Sequence, residues 1–470
     1  MSAPATTEKK YLKWYQKLAY GSGDLASNCS YGLVSSFVLL YLTGTLGLDS
    51  AIIGSLMLAS KVLDGISDVI FGTLIDRTHS KLGKARPWML FGQVGVSLCL
   101  FLLFAIPAGS TTMQYIYFFI VYTALNAVFY TANGIAYSSL VALITKNNNE
   151  RVQLGSFRFM FAVVTNIFMG FAVTGMVEKF GSGAAGWRTT ALIFAIVGLV
   201  VNTISCLAVK ELPEEELSGN TSEAAEEGKA VAEEKKHGFA ETAKILVHNK
   251  YYLMILAIYI VYYIMSNLTT GAGVFCATYY WGDGSLLGQF SMMKMFPVII
   301  ALAIAPVLIK KTGSMQKVNF WGYAISSVLG IPMIYFAMQK NISMFLLFMF
   351  IKGVFAGTLS GSLNALIAEA SGYTTRTTGI HMDGMMYSCS SLGVKVGGGI
   401  GTAAVGWLLK LGGFVGTATV QSESAIRMIF NLYITFPFVI GIIITVLLAF
   451  LDVEKANKKW DAEHQKEAQA

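Results

Sequence analysis

Apolar residues run along this chain in about twelve blocks of membrane-spanning length, parted by polar turns. The blocks fall at roughly 18–44, 50–75, 87–107, 113–142, 153–178, 188–208, 250–280, 286–310, 316–338, 343–371, 380–411 and 425–451. About 20 predominantly apolar residues cross a bilayer as a helix, so each block is long enough. The alternating polarity that marks strands of a membrane barrel is missing. The pattern predicts an all-α membrane protein with twelve transmembrane helices. Its longest polar interruption, residues 210–250 (KELPEEELSGNTSEAAEEGKAVAEEKKHGFAETAKILVHNK), mixes clustered acids with lysines and small residues, as a solvated linker does. It divides the chain into two six-helix halves, residues 1–209 and 251–451, with 452–470 left as a polar tail.

Composition agrees with this pattern. Of the 470 residues 54% are hydrophobic and only 13% charged, which excludes an ordinary soluble globular protein. Eight prolines and 47 glycines suit helices that pack closely through small residues. The five cysteines (Cys29, Cys99, Cys206, Cys276 and Cys389) all fall in apolar blocks without metal-ligand spacing, and read as small packing residues.

Charge placement sets an orientation. The N-terminus, the even-numbered turns and the C-terminus carry 24 of the 34 lysines and arginines, and the odd-numbered turns five. The positive-inside rule then puts both termini in the cytoplasm. This asymmetry accounts for the net charge of +7, so no nucleic-acid partner is needed. The polar N-terminus MSAPATTEKKYLKWYQK has no signal-peptide pattern. No nucleotide-binding loop, metal motif or catalytic constellation is evident, so neither an enzyme nor a cofactor is expected.

The remaining lysines and arginines, and several acids, lie inside the blocks. Asp64 and Asp68 stand one helical turn apart in the second block, on one face. A carboxylate at the bilayer centre costs roughly 2.5–3.5 kcal/mol. Two of them about 6 Å apart repel by about 3 kcal/mol at an effective dielectric near 20. The pair should therefore hold a proton or a cation, unless a base such as Lys61, one turn earlier, balances it. A sodium ion at Asp64 and Asp68 is the one metal expected. Asp24 reads as a local helix cap beside Gly21 and Gly23, with a replacement acid for the site as the second reading, and Lys294 and Lys352 receive no role.

The halves echo each other weakly. GTLIDRTHSKLGKARPW follows the second block and VLIKKTGSMQKVNFWG the eighth, both as short basic turns. Two such halves make a transporter that rocks about a midplane site. GTLIDR and the basic residues after it resemble the signature of the major facilitator superfamily. Asp76, Arg77, Lys84 and Arg86 would form a gating network there that breaks as the halves rock.

Four stretches narrow the resemblance: KLAYGSGDLASN, KVLDGISDVIFGTLIDRTHSKLGKARPW, YTANGIAYSSLVALITKNNNERVQLGSFR and HMDGMMYSCSSLGVKVGGGIGTAAVGWLLKLGGF. Together, in order and over nearly the whole chain, they resemble the glycoside–pentoside–hexuronide:cation symporter family, the melibiose-carrier type within the major facilitator superfamily. The resemblance implies a major facilitator fold and a monomeric transport unit in the bacterial inner membrane. It implies coupling of inward proton or sodium flow to uptake of a small sugar or glycoside. It assigns Asp64 and Asp68, with Asn133, to the cation. Asn28, Asn133, Tyr137, Arg158 and Lys395 are implied for the sugar, and Tyr31 and Tyr387 add hydrogen-bonding aromatic faces at midspan depth. Asn28 and Asn133 are amides where the melibiose carrier has acids. Fewer negative charges would ease entry of an anionic sugar, so the expectation leans to a glucuronide-type substrate held by Arg158 or Lys395. A lysolipid carrier of the same superfamily and a non-transporting sugar sensor are the competing readings.

Overall fold

The computed structural model describes residues 9–213, 216, 245–380, 383–418 and 420–467. Most of the linker, 217–244 with 214 and 215, lies outside the described residues. Nearly everything described is helical. In chain order the helices are α1 (Trp14–Gly21), α2 (Gly23–Leu40), α3 (Ser50–Asp76), α4 (Arg86–Leu103), α5 (Thr111–Thr123), α6 (Thr131–Ile144), α7 (Asn148–Lys179) and α8 (Gly183–Leu207). They continue as α9 (Lys250–Phe275), α10 (Leu286–Thr312), α11 (Met315–Met338), α12 (Ile342–Thr378), α13 (Asp383–Leu411), α14 (Glu423–Phe430), α15 (Phe436–Phe450) and α16 (Val453–Glu467). Wide π-helical turns extend α2 (Tyr41–Thr45) and α9 (Cys276–Tyr280) and join α5 to α6 (Ala124–Tyr130) and α14 to α15 (Asn431–Thr435). Eleven helical stretches among the described residues are long and apolar enough to cross a membrane. The 27-residue α3, which carries Lys61, Asp64 and Asp68, makes the twelfth.

Many spans start on a side chain that takes up the helix's first free amides, the usual N-cap device. Asp49 accepts from Ala51 and Ile52 at the head of α3. Asn147 does so for α7, Asn249 for α9, Ser314 for α11 and Asn341 for α12.

The chain forms two units. The first comprises Met1–Gly219 with Gly282–Gly288 and Gly406–Ala425; the second takes the rest. In the first unit α4 packs on α8 and α6, and α2 lies against α7 and α8. In the second, α11 pairs closely with α12 and with α15, and α9 packs on α15. Small residues allow these approaches. A Cβ on Gly21 would sit 2.5 Å from the Phe157 Cβ, so α1 and α7 touch there because position 21 has no side chain.

Two segments read from the sequence as solvated are partly built in. The tail forms α16, and its Glu454 accepts hydrogen bonds from the Ser314 hydroxyl and the Gln316 amide at the start of α11. The linker's second residue, Glu211, accepts from the backbone amides of Lys84, Ala85 and Arg86 at 2.7, 2.9 and 3.0 Å, capping α4 from outside the helix. The N-terminal segment is held in a similar way. Buried Glu150 accepts from the Tyr11 and Leu12 amides and the Thr145 hydroxyl, and pairs with Lys17 at 3.0 Å. The five cysteines are all free and buried.

Candidate functional site

The polar face of α2 organises the first unit. Asp24, Asn28 and Tyr31 are spaced i, i+4 and i+7, so they line one side of the helix. Asp24 is no local cap. Its carboxylate accepts from the Arg158 guanidinium at 2.6 Å, and the pair is largely shielded from solvent. The same guanidinium lies 4.1 Å from the centre of the Tyr137 ring. One turn on, the Asn28 amide donates to the Asp24 carbonyl at 2.7 Å and its oxygen accepts from Asn166 at 2.8 Å. Tyr31 then stacks on Tyr130, centroid to centroid 5.6 Å, with the Lys61 ammonium 6.0 Å from the Tyr31 ring.

This ribbon of paired polar groups ends at the aspartate expected to hold the cation. Lys61 lies 3.4 Å from Asp64 Oδ2, while Asp64 Oδ1 is 2.6 Å from the Thr131 hydroxyl. The hydroxyl is also 2.9 Å from the Asn126 carbonyl, which the π-helical turn leaves facing it. A hydroxyl has one proton to give and can also accept. With Asp64 ionised, Thr131 donates to it. With Asp64 protonated, the acid donates to Thr131, and Thr131 donates to Asn126. One arrangement of heavy atoms therefore accommodates both states of the carboxyl.

The structure gathers some of the expected site residues and separates others. Asn28, Tyr31, Arg158, Asp64 and Asp68 belong to the ribbon's elements in the first unit. Asn133 does not face Asp64. Two residues beyond Thr131 on a helix is a turn of about 200°, and its amide is directed instead to the Met89 carbonyl at 2.7 Å and to Asn202. Asn133, expected at both cation and sugar, is thus buried where α6 meets α4 and α8. Tyr137, expected to stack on a sugar, is buried. Its hydroxyl donates to the Tyr20 carbonyl at 2.8 Å, and its ring meets Tyr20 and Arg158. Arg158, one of two cations expected to bind a substrate carboxylate, is already paired to Asp24. Tyr387 and Lys395 lie on α13 in the second unit, where Tyr387 is exposed and Lys395 half-buried.

The expected gating residues behave as two pairs. Asp76 and Arg77 are exposed where α3 ends. Lys84 and Arg86 sit in the turn capped by Glu211, and the buried Arg86 side chain donates to the carbonyls of Cys206 and Leu82. The Trp88 indole closes the turn on the Thr78 hydroxyl at 2.8 Å.

Thr131, Asn166, Asp24 as an ion-pair partner and Glu211 were missed in the sequence. Thr131 is 67 positions from Asp64, and no local pattern distinguishes it from other span threonines.

Residues 19–455 match the family described as MFS/sugar transport protein. An isoprimeverose transporter of Lactiplantibacillus pentosus is 26% identical over 478 residues, covering 100% of this chain and 96% of its own. A protein named as a putative glycoside/cation symporter in Escherichia coli (strain K12) is 24% identical, over 95% of this chain and 93% of its own. Among solved structures, a bacterial homologue of the human lysosomal transporter Spinster, inward-facing and unoccupied, superposes with a TM-score of 0.69 at 13% identity, over 95% of this chain and 98% of that one. The last likeness is one of fold: a major facilitator arrangement.

Proposed function

Because the chain belongs to the MFS/sugar transport protein family, we propose that it is a symporter that uses inward flow of a cation to drive uptake of a glycoside, pentoside or hexuronide across a bacterial inner membrane, with both termini cytoplasmic. The observation that carries this reading is the Asp64 cluster. It is a carboxylate inside a span, one turn from a second, in contact with the Lys61 ammonium and with the Thr131 hydroxyl, which adapts to either protonation state. Intramembrane carboxylates of this kind mark ion or proton paths. The names of the relatives, an isoprimeverose transporter and a putative glycoside/cation symporter, support a sugar cargo and a coupled cation.

Coupling follows from linkage. A cation or proton at Asp64 and Asp68 removes the repulsion between them and stabilises the state that binds sugar, so each ligand tightens the other. Asp76, Arg77, Lys84 and Arg86 would govern the exchange of states at the end of α3. Of the seven residues expected at the sugar, Asn28, Tyr31, Tyr387 and Lys395 keep that assignment, and a uronide is the favoured cargo. Proteoliposomes with an imposed pH or sodium gradient test the proposal. Labelled glycoside should accumulate above its equilibrium level under one of the two gradients, and accumulation that ignores both would overturn it.

A further inference from the structure

The second unit contains a cavity of about 180 Å³ bounded by α9, α10, α11, α12 and α15. Lys294 of α10 and Lys352 of α12 both line it. The two helices touch beside them, since a Cβ on Gly353 would fall 2.8 Å from the Pro297 side chain. This close approach brings the turns that carry the two lysines together. Lys294 does not reach for the membrane surface. Its ammonium donates into the bundle, to the Thr270 and Thr269 hydroxyls of α9 at 3.1 and 3.4 Å. Among the described residues neither lysine has a carboxylate within ion-pair distance.

Two ammonium groups inside membrane spans, lining one cavity without an acid, are an uncompensated positive charge of the kind proteins seldom bury. Hydroxyls solvate such a charge but do not neutralise it. A third polar residue belongs to the same wall. Tyr323 of α11, 2% exposed, lines the cavity, and its hydroxyl has no hydrogen-bond partner. A buried hydroxyl left unmade costs roughly 1–3 kcal/mol. Two cationic donors and one neutral donor around one space make a receptor for an oxyanion. At roughly 30 Å³ per water, the volume admits such a group with some of its hydration.

We propose that Lys294, Lys352 and the Tyr323 hydroxyl form an anion-binding site for a singly charged oxyanion of the carboxylate or sulfonate class. Resting on the transport reading, the occupant is the acid group of the transported sugar. The paired Arg158 is then left to hold α2 against α7.

The test uses the purified full-length chain and compares methyl β-glucoside with methyl β-glucuronide, which differ at one acid group. Wild type should bind the glucuronide about tenfold more tightly or better, as a charge-assisted contact supplies. Lys294→Gln and Lys352→Gln should each bring the ratio close to one, leaving glucoside affinity within about twofold. Tyr323→Phe should lower the ratio without abolishing it, and it carries the comparison if a lysine variant fails to fold. A second arm reads the melting temperature with added chloride or sulfate. A rise seen in wild type and lost in the variants would support the same site with a free inorganic anion as its occupant. That arm remains informative if neither glycoside binds, an outcome that would count against a glucoside or glucuronide cargo and leave the site to be judged by the melting shift. A glucuronide preference and an anion-dependent melting shift both unchanged in all three variants would overturn the site.

Discussion

Thr131 is where chemistry and coupling meet at the scale of one residue. Its hydroxyl lies 2.6 Å from the Asp64 carboxylate, and valine would keep its shape while removing its proton. A hydrogen bond to a charged group contributes about 1.5 kcal/mol or somewhat more. Thr131→Val should therefore raise the cation concentration for half-maximal uptake roughly tenfold, with little change at saturating cation. An unchanged cation dependence would remove Thr131 from the site. The Asp24–Arg158 pair yields a second prediction. Asp24→Asn and Arg158→Gln should each lower the melting temperature. The double variant should recover part of the loss, because each single change strands a partly buried charge. A coupling of roughly 0.5–3 kcal/mol is expected from the double-mutant cycle, and strict additivity would mean that the pair is incidental. Individual residues were also where sequence reading was weakest. Asp64 and Asp68 announced themselves, since a carboxylate in an apolar span has no inexpensive explanation. Asp24 did not, because its partner lies 134 positions away and a cap beside two glycines was the nearer explanation. Asn133 and Thr131 differ by two positions, yet helix geometry gives them opposite faces and different partners.

Elements were far more legible, because hydropathy over 20 residues is a strong signal. The sequence anticipated the spans closely, but not the side chains that cap them. The π-helical turns were not anticipated, and one of them aims the Asn126 carbonyl at Thr131. Nor did composition separate the ordered start of the linker from the rest. Glu211 reads as one acid among many, yet it caps α4 with three backbone hydrogen bonds. Glu211→Gln should cost about 1 kcal/mol, in the range of a lost helix cap. The loss should appear as a lower melting temperature, and as faster proteolysis of the 77–86 turn. A variant as stable and as protease-resistant as wild type would show that the cap contributes nothing. The other end of α3 responds to pH. Burial pushes the Asp49 carboxyl up, but the Lys410 ammonium at 2.6 Å and the Ala51 and Ile52 amides outweigh it, leaving the group below its usual value. Its contribution to stability is therefore present above the ordinary carboxylate pKa, about 3.9. It is lost as pH falls through the depressed folded value. The melting-temperature gap between wild type and Asp49→Asn should be constant near neutrality and close only below about pH 4. A gap that widens with acid would contradict this assignment.

On the scale of the whole molecule, the chain is a major facilitator transporter of the sugar transport family. Twelve apolar blocks divided by one acidic linker were enough to expect two six-helix halves, while the major facilitator fold itself came from the resemblance carried by GTLIDR and the four longer stretches. The division of labour inside it was harder to read. Polar residues at midspan depth look alike in sequence, whether they bind a ligand or hold helices together. The structure gives each its partners. Asn133 and Tyr137 are buried and donate to backbone carbonyls, the Asp24–Arg158 pair joins α2 to α7, and Asp64 meets the Thr131 hydroxyl. The lysines of α10 and α12, silent in the sequence, become informative once a cavity and an unpartnered tyrosine hydroxyl stand beside them.

Symport makes one demand that no other reading shares: removing the charge that binds the cation should uncouple transport without abolishing passage of the sugar. The direct measurement is labelled-glycoside uptake by proteoliposomes holding wild type or Asp64→Asn, first under a cation gradient and then as counterflow with no gradient. The account predicts that the variant loses accumulation above equilibrium while retaining counterflow. Accumulation as steep in Asp64→Asn as in wild type would contradict it.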